Sequence, residues 1–241
     1  MVPAFVSIKY LKIPNRQTLD FFSTIKKVYH TIKEKEKTYL VYAIVAYALP
    51  PNDGPIIGIF FQKKQQLQPL QFAYAECLAF VAITFSSIFY NKFLRKIAHV
   101  KVITITSISM LIFPWLNVMF GRRVIEFEPS SYLSMTSFIG AFLGHISFMP
   151  IAVMAAKYCP RNIEATMYAF FMALLNLFSV ISYSLSSIII SLLKIEDYES
   201  DNIWYYYILD ISFDMLSIYF VQKFISKSDN IFKLNQSPED R

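Results

Sequence analysis

The stretch VITITSISMLIFPWLNVMFG, Val102 to Gly121, runs for 20 residues without a charged side chain. As an α-helix it would extend roughly 30 Å, the thickness of a bilayer's hydrocarbon core. Working outward, Pro129 to Ala156 is uncharged apart from His145, and Ala165 to Leu193 carries no charge at all. Gln71 to Tyr90 is apolar with Glu76 near its start. Thr38 to Phe61 is apolar but broken by Pro50, Pro51 and Asp53, and Ile203 to Phe224 contains Asp210 and Asp214. A membrane strand pattern would alternate over segments of about ten residues, so helices are the expected spanning form.

Composition agrees. Of 241 residues, 55% are hydrophobic and 17% charged, and the mean hydropathy is +0.42. A soluble domain carries about 25% charged residues, so a water-soluble globular enzyme is excluded. The length accommodates about six crossings and not twelve. The expectation is an all-α membrane protein with a six-helix transmembrane domain at 38–224. A basic cytoplasmic connector precedes it at 1–37 and a polar cytoplasmic tail follows at 225–241. The apolar pieces of the first 37 residues are too short for a secretory signal.

The net charge of +6 follows from 23 Lys and Arg against 17 Asp and Glu. With both termini cytoplasmic and six crossings, 18 of the 23 basic residues fall on the cytoplasmic side and 5 opposite. That is the positive-inside bias of a multi-pass protein in a plasma membrane or organelle envelope, not a nucleic-acid footprint. Trp204, Tyr205, Tyr206 and Tyr207 sit together where the sixth segment would meet the outer interface. Cys77 and Cys159 form no CxxC pair. No phosphate loop, catalytic triad, haem pair or metal cluster is present, so neither an enzyme nor a cofactor is expected.

Ionisable groups inside a span are costly and need a reason. Asp210 and Asp214 lie four apart, on one helix face with Tyr207 and Ser217. Two like charges this close in a low dielectric suit a proton-binding role. A polar face packed on another helix, or a span end open to water, is the plainer explanation. Asp53 lies in the Pro- and Gly-rich break of the first segment, of the kind that lines transporter pathways or simply ends a helix. Glu76 faces either a pathway or the outer interface, and His145 is either a ligand or hydrogen-bonded to a neighbouring helix. On the fifth segment Ala169, Ala173, Asn176, Ser179, Tyr183, Ser187 and Ser191 share a face, with Asn176 the leading contact residue. Gly140 and Gly144 form a GxxxG packing surface.

The join between the fourth and fifth segments is the most specific stretch. It reads Met149-Pro150, then Lys157-Tyr158-Cys159-Pro160-Arg161-Asn162-Ile163-Glu164-Ala165-Thr166, followed by Asn176. It resembles the signature of the folate–biopterin transporter family of the major facilitator superfamily: Met-Pro late in a helix, a Cys-Pro-x-Gly-x-Glu-Ala-Thr loop, and a following Asn. Cys159, Pro160, Glu164, Ala165, Thr166 and Asn176 match. Asn162 replaces the usual glycine, and Asn also adopts positive φ. Leu49-Pro50 and the basic loop from Tyr90 to Lys96 are similar too. The resemblance covers roughly residues 20–225 and corresponds to helices seven to twelve of a twelve-helix transporter.

The resemblance implies proton-coupled membrane transport of folate, biopterin or related pteridines, with the lipid bilayer and a second six-helix half as partners. That half would be supplied in cis or by dimerisation, and the chain alone would be incomplete. In this superfamily the first, second, fourth and fifth helices of each half face the cavity. That favours Asp53, Glu76, His145 and Asn176 as substrate contacts over Asp210 and Asp214. Glu164 would begin the fifth helix and could pair with Lys157 or Arg161 as a cytoplasmic latch beside Cys159 and Pro160. The alternative from another class is a non-transporting membrane scaffold built on the Gly140–Gly144 face.

Overall fold

The computed structural model describes residues 21–52, 54–160, 163–195 and 202–235, and no strand occurs among them. A short helix α1, Phe21–Ile32, leads into α2, Lys35–Ala48. After a break comes α3, Gly54–Ile59, which runs into a π-helical turn at Phe60–Lys64. Then follow α4, Pro69–Phe89, with a π turn at Tyr90–Leu94, and α5, His99–Met110. The remaining helices are α6, Ile112–Gly121, α7, Pro129–Lys157, α8, Glu164–Leu192, and α9, Ile203–Asn235.

Four helical stretches are long and apolar enough to cross a bilayer: Pro69–Leu94, His99–Gly121, Pro129–Lys157 and Glu164–Leu192. The molecule is an all-α membrane protein. Six apolar crossings were expected, and the first and sixth depart from that pattern for identifiable reasons. Pro50 and Pro51 split the first into α2 and α3, because proline lacks an N–H and its ring clashes with the carbonyl four residues back. The sixth, α9, is continuous, but it carries Asp210, Asp214 and Lys223. His99–Gly121 is also bent. Pro114 withdraws the donor that Met110 O would accept, and the chain turns at Leu111 between α5 and α6.

Packing places two dry cores at opposite ends of the bundle. At the end expected to be cytoplasmic, Leu40 and Ile44 of α2 meet Ile103 of α5 and Met154 of α7, with Phe171 of α8 and Ile225 of α9. At the other end Ile56, Phe60 and Phe61 meet Phe120, Tyr132, Ile190 and Tyr206. There the Phe120 and Tyr132 rings stack with centroids 3.9 Å apart, and the Tyr132 hydroxyl donates to Asn117 Oδ1 at 2.8 Å. Between helices in lipid such packing replaces hydrophobic burial as the cohesive force. Among the expected aromatic belt, Trp204 and Tyr205 are exposed, while Tyr206 and Tyr207 turn inward to this core.

Burial does not stop at the expected domain edges. Val28 and Thr31 of α1 are buried, Ser228 of α9 donates to Glu36 O at 2.8 Å, and α9 continues as helix to Asn235. The GxxxG pair is not a point of close helix approach within the bundle. A Cβ on Gly140 or Gly144 would meet nothing within 4 Å.

Candidate functional site

A cavity of about 330 Å³ lies between the two cores. Its walls come from Tyr47 and the Pro50–Asn52 break, Ser107 and Met110 of α5, Phe113 and Pro114 of α6, Gly144 and Ser147 of α7, Ser179, Ser182 and Tyr183 of α8, and Asp210, Asp214 and Ser217 of α9. On each contributing chain segment these residues fall between those of the two dry cores. On α7 and α8 they also sit near the middle of a 29-residue helix. The cavity is therefore at mid-depth, where transporter sites built on interrupted helices are found.

The α2–α3 break is held open by hydroxyls. Pro50 has no N–H to give Ala46 O, and Ser217 of α9 donates to that carbonyl instead at 2.6 Å. Ser182 of α8 donates to Pro50 O. Asn52 N–H donates to Ser186 Oγ at 2.6 Å. Three serines on two helices thus satisfy backbone groups that hydrocarbon could not. Gly54 restarts the helix where space is tightest: its N–H donates to Asn52 Oδ1 at 2.8 Å. A Cβ there would lie 2.9 Å from that oxygen and 3.2 Å from the Tyr183 ring.

Of the residues singled out from sequence, Asp210 and Asp214 come together at this cavity, Asp210 buried and Asp214 half-buried. The sixth helix therefore presents its polar face to the cavity, as Ser107 and Met110 do from the third; neither is wholly peripheral. Ser179 and Tyr183 of the α8 stripe line it, whereas Asn176 is exposed on the outside of the bundle. His145 stands between two lining residues but turns to α4, its Nε2 3.0 Å from Ser87 Oγ. Glu76 is exposed on α4. Asp53 and Arg161 lie outside the described residues, although Pro50, Pro51 and Asn52 beside Asp53 form part of the wall. Ser147 and Ser182 were missed, whereas Ser217 was identified only through the face it shares with the two aspartates. For Ser182 the signal was present in the prolines, whose break demands donors that serines on facing helices supply.

At the end expected to be cytoplasmic, Cys159 Sγ donates to Ala155 O at 3.0 Å, just past the last turn of α7. Burial, then the Glu164 carboxylate, push its thiol above the ordinary range, with Lys37 opposing. Glu164 is exposed in the first turn of α8 and Lys157 in the last turn of α7. Lys37 is buried and pairs with Glu34 and, at 3.4 Å, with Glu36. Among the described residues no group of His, Cys, Asp and Glu could hold a metal ion.

Membrane helices packed around a mid-depth polar cavity define an integral membrane protein. The chain belongs to the BT1 family, whose model matches residues 20–239. It is similar to "Folate-biopterin transporter" of Synechocystis sp., 23% identical over 74% of this chain and 37% of the relative. "Probable folate-biopterin transporter 4" of Arabidopsis thaliana is 21% identical over 68% of this chain and 34% of the relative. "Folate transporter 1" of Plasmodium falciparum is 23% identical over 82% of this chain and 40% of its own length. The chain thus spans well under half the length of these relatives. No solved structure matches it.

Proposed function

We propose that this chain forms the cavity-bearing half of an alternating-access transporter for folate, biopterin or related pteridines. In this reading α2 with α3 is the first crossing and α9 the sixth, giving six crossings with both termini in the cytoplasm. The observation that carries it is the mid-depth cavity at the helix break, flanked by dry cores that would serve as the two gates. Alternating access needs two bundles rocking about such a site, so a second six-helix bundle completes the transporter, in cis or by dimerisation. Support for a second bundle comes from α8, where the Asn176 side chain is exposed near the middle of the helix, a depth at which lipid offers it no hydrogen-bond partner. Asp210 and Asp214 would carry the coupling proton.

The test is uptake of labelled folate and biopterin into cells producing the chain alone, and the chain joined to a six-helix partner from a relative. The joined form is expected to accumulate substrate, with a protonophore abolishing accumulation. Correct membrane insertion with no uptake in either form would refute the proposal.

A further inference from the structure

Helices α2 and α9 run antiparallel and are joined at two levels. Ser217 donates to Ala46 O beside the mid-depth cavity, and Ser228 donates to Glu36 O nearer the end expected to be cytoplasmic. At about 1.5 Å per residue, Tyr42 and Tyr39 lie about 6 and 10 Å from the level of Ala46 toward that end. Phe220 and Phe224 lie about 5 and 10 Å from the level of Ser217. These rings pack together along the seam. Phe220 and Phe224 stack with centroids 5.7 Å apart, and Phe224 is 6.3 Å from Tyr39 and 5.5 Å from Tyr42. Tyr42 is 49% exposed, so the ledge faces away from the bundle.

Lysines crown this ledge. Lys227 Nζ lies 5.4 Å from the Tyr39 ring centroid across the seam, and Lys223 Nζ lies 5.6 Å from that of Tyr219. Lys35 sits one turn before Tyr39 on the same face of α2. By the same count Lys35 and Lys227 reach about 15–16 Å from mid-depth, where hydrocarbon gives way to headgroups, and Lys223 snorkels up from about 9 Å. All three are exposed, and among the described residues none pairs with a carboxylate; Glu34, the nearby exposed acid, is taken by Lys37.

We propose that the α2–α9 seam binds one anionic phospholipid of the cytoplasmic leaflet. Lys35, Lys223 and Lys227 hold its headgroup, and an acyl chain lies on the ledge of Tyr42, Phe220 and Phe224. Only the orientation is taken from the transport reading above. Charge and depth together select this occupant. A net-negative headgroup offsets three clustered lysines, whereas the choline of a zwitterionic lipid adds a further cation to them. A soluble anion satisfies the lysines but leaves the rings beneath them uncovered. The Tyr39 ring holds Lys227 over the seam, so the headgroup bridges both helices. A lipid seated there ties α2 to α9, whose Leu40, Ile44, Val221 and Ile225 share the core at that end.

Native mass spectrometry of the full chain in detergent micelles, titrated with phosphatidylserine, phosphatidylcholine or inorganic phosphate, tests this. Wild type is expected to retain one phosphatidylserine, to bind phosphatidylcholine far more weakly, and to melt at a higher temperature when phosphatidylserine is added. Lys223→Gln combined with Lys227→Gln should weaken phosphatidylserine binding about 25-fold, at about fivefold per lysine near an anionic surface. Lys92→Gln combined with Lys96→Gln removes an exposed basic pair from the loop after α4, outside the seam. That control should keep wild-type affinity within about a factor of two. Equal thermal midpoints in phosphatidylcholine alone establish that both double variants fold. Equal affinity for the two lipids would overturn the proposal, as would equal weakening by the two double variants, the mark of diffuse surface charge. Displacement of the lipid by inorganic phosphate at matching concentration would overturn it in favour of a soluble anion. In each of those cases uptake by the two-bundle form still decides the transport reading separately.

Discussion

At the residue scale the site is made by what proline removes. Pro50 takes the donor from Ala46 O, and Ser217 restores it from another helix at 2.6 Å. Ser217→Ala should therefore loosen the α2–α9 contact. The expected cost is about 0.6–1.7 kcal/mol, the range for interhelical hydrogen bonds in bilayers, read as a lower midpoint in denaturant titration of detergent-solubilised protein. Gly54→Ala should be worse than an ordinary helix substitution, because its Cβ would press on Asn52 Oδ1 at 2.9 Å. Helix propensity alone would favour alanine there, so a stability gain on melting would show that the break is not fixed as described. The Asp210–Asp214 face was legible from a spacing of four. Resemblance to the wider superfamily had directed attention to Asn176 and His145 instead. A helix turns about 100° per residue, so His145 points to Ser87 while Gly144 and Ser147 line the cavity. Sequence gives the faces of each helix, but only the neighbours decide which one is wet.

At the element scale the spans were readable because lipid tolerates few charges over 20 residues, and α4 through α8 follow that rule. The breaks were readable as well: prolines predicted the α2–α3 interruption. The depth of α9 was not, since its packing continues through Ser228 and its helix to Asn235, where composition alone suggested a polar tail. Helix starts carry their own chemistry. Glu128 caps α7 by accepting from Ser130 N–H at 3.2 Å and Ser131 N–H at 2.7 Å. The Ser130 and Ser131 side chains and backbone hold its carboxyl down to about 2 from an ordinary 4.5. A depressed carboxylate stabilises above its unfolded pKa and loses that contribution as pH falls through the folded one. Wild type should thus lose this increment between pH 4.5 and 2, and Glu128→Ala should melt a few degrees lower at pH 7 but match wild type near pH 2. A difference that persists at pH 2 would show that the cap works through packing and not charge.

At the scale of the whole molecule, two apolar cores flank a polar cavity on opposite sides. The proposed orientation, with both termini cytoplasmic, rests on the sorting of basic residues, 18 of 23 to one side. In a chain with Cys77 and Cys159 replaced by serine, Lys227→Cys should react with impermeant maleimide only from the cytoplasmic face, and Ser130→Cys only from the other. Labelling of both from one side would reverse or abolish the proposed topology. The family assignment was legible from the Cys159–Thr166 loop and Asn176. The cavity was not, because its polar wall is assembled from residues more than a hundred positions apart, such as Asn52 and Ser217. The most direct test of the central claim is substrate protection at that wall. Ser179→Cys in the cysteine-free chain, completed by a second bundle, should react with a small water-soluble thiosulfonate, and saturating biopterin should slow the reaction severalfold. Reaction at the same rate with and without biopterin and folate, in protein that transports both, would contradict the account.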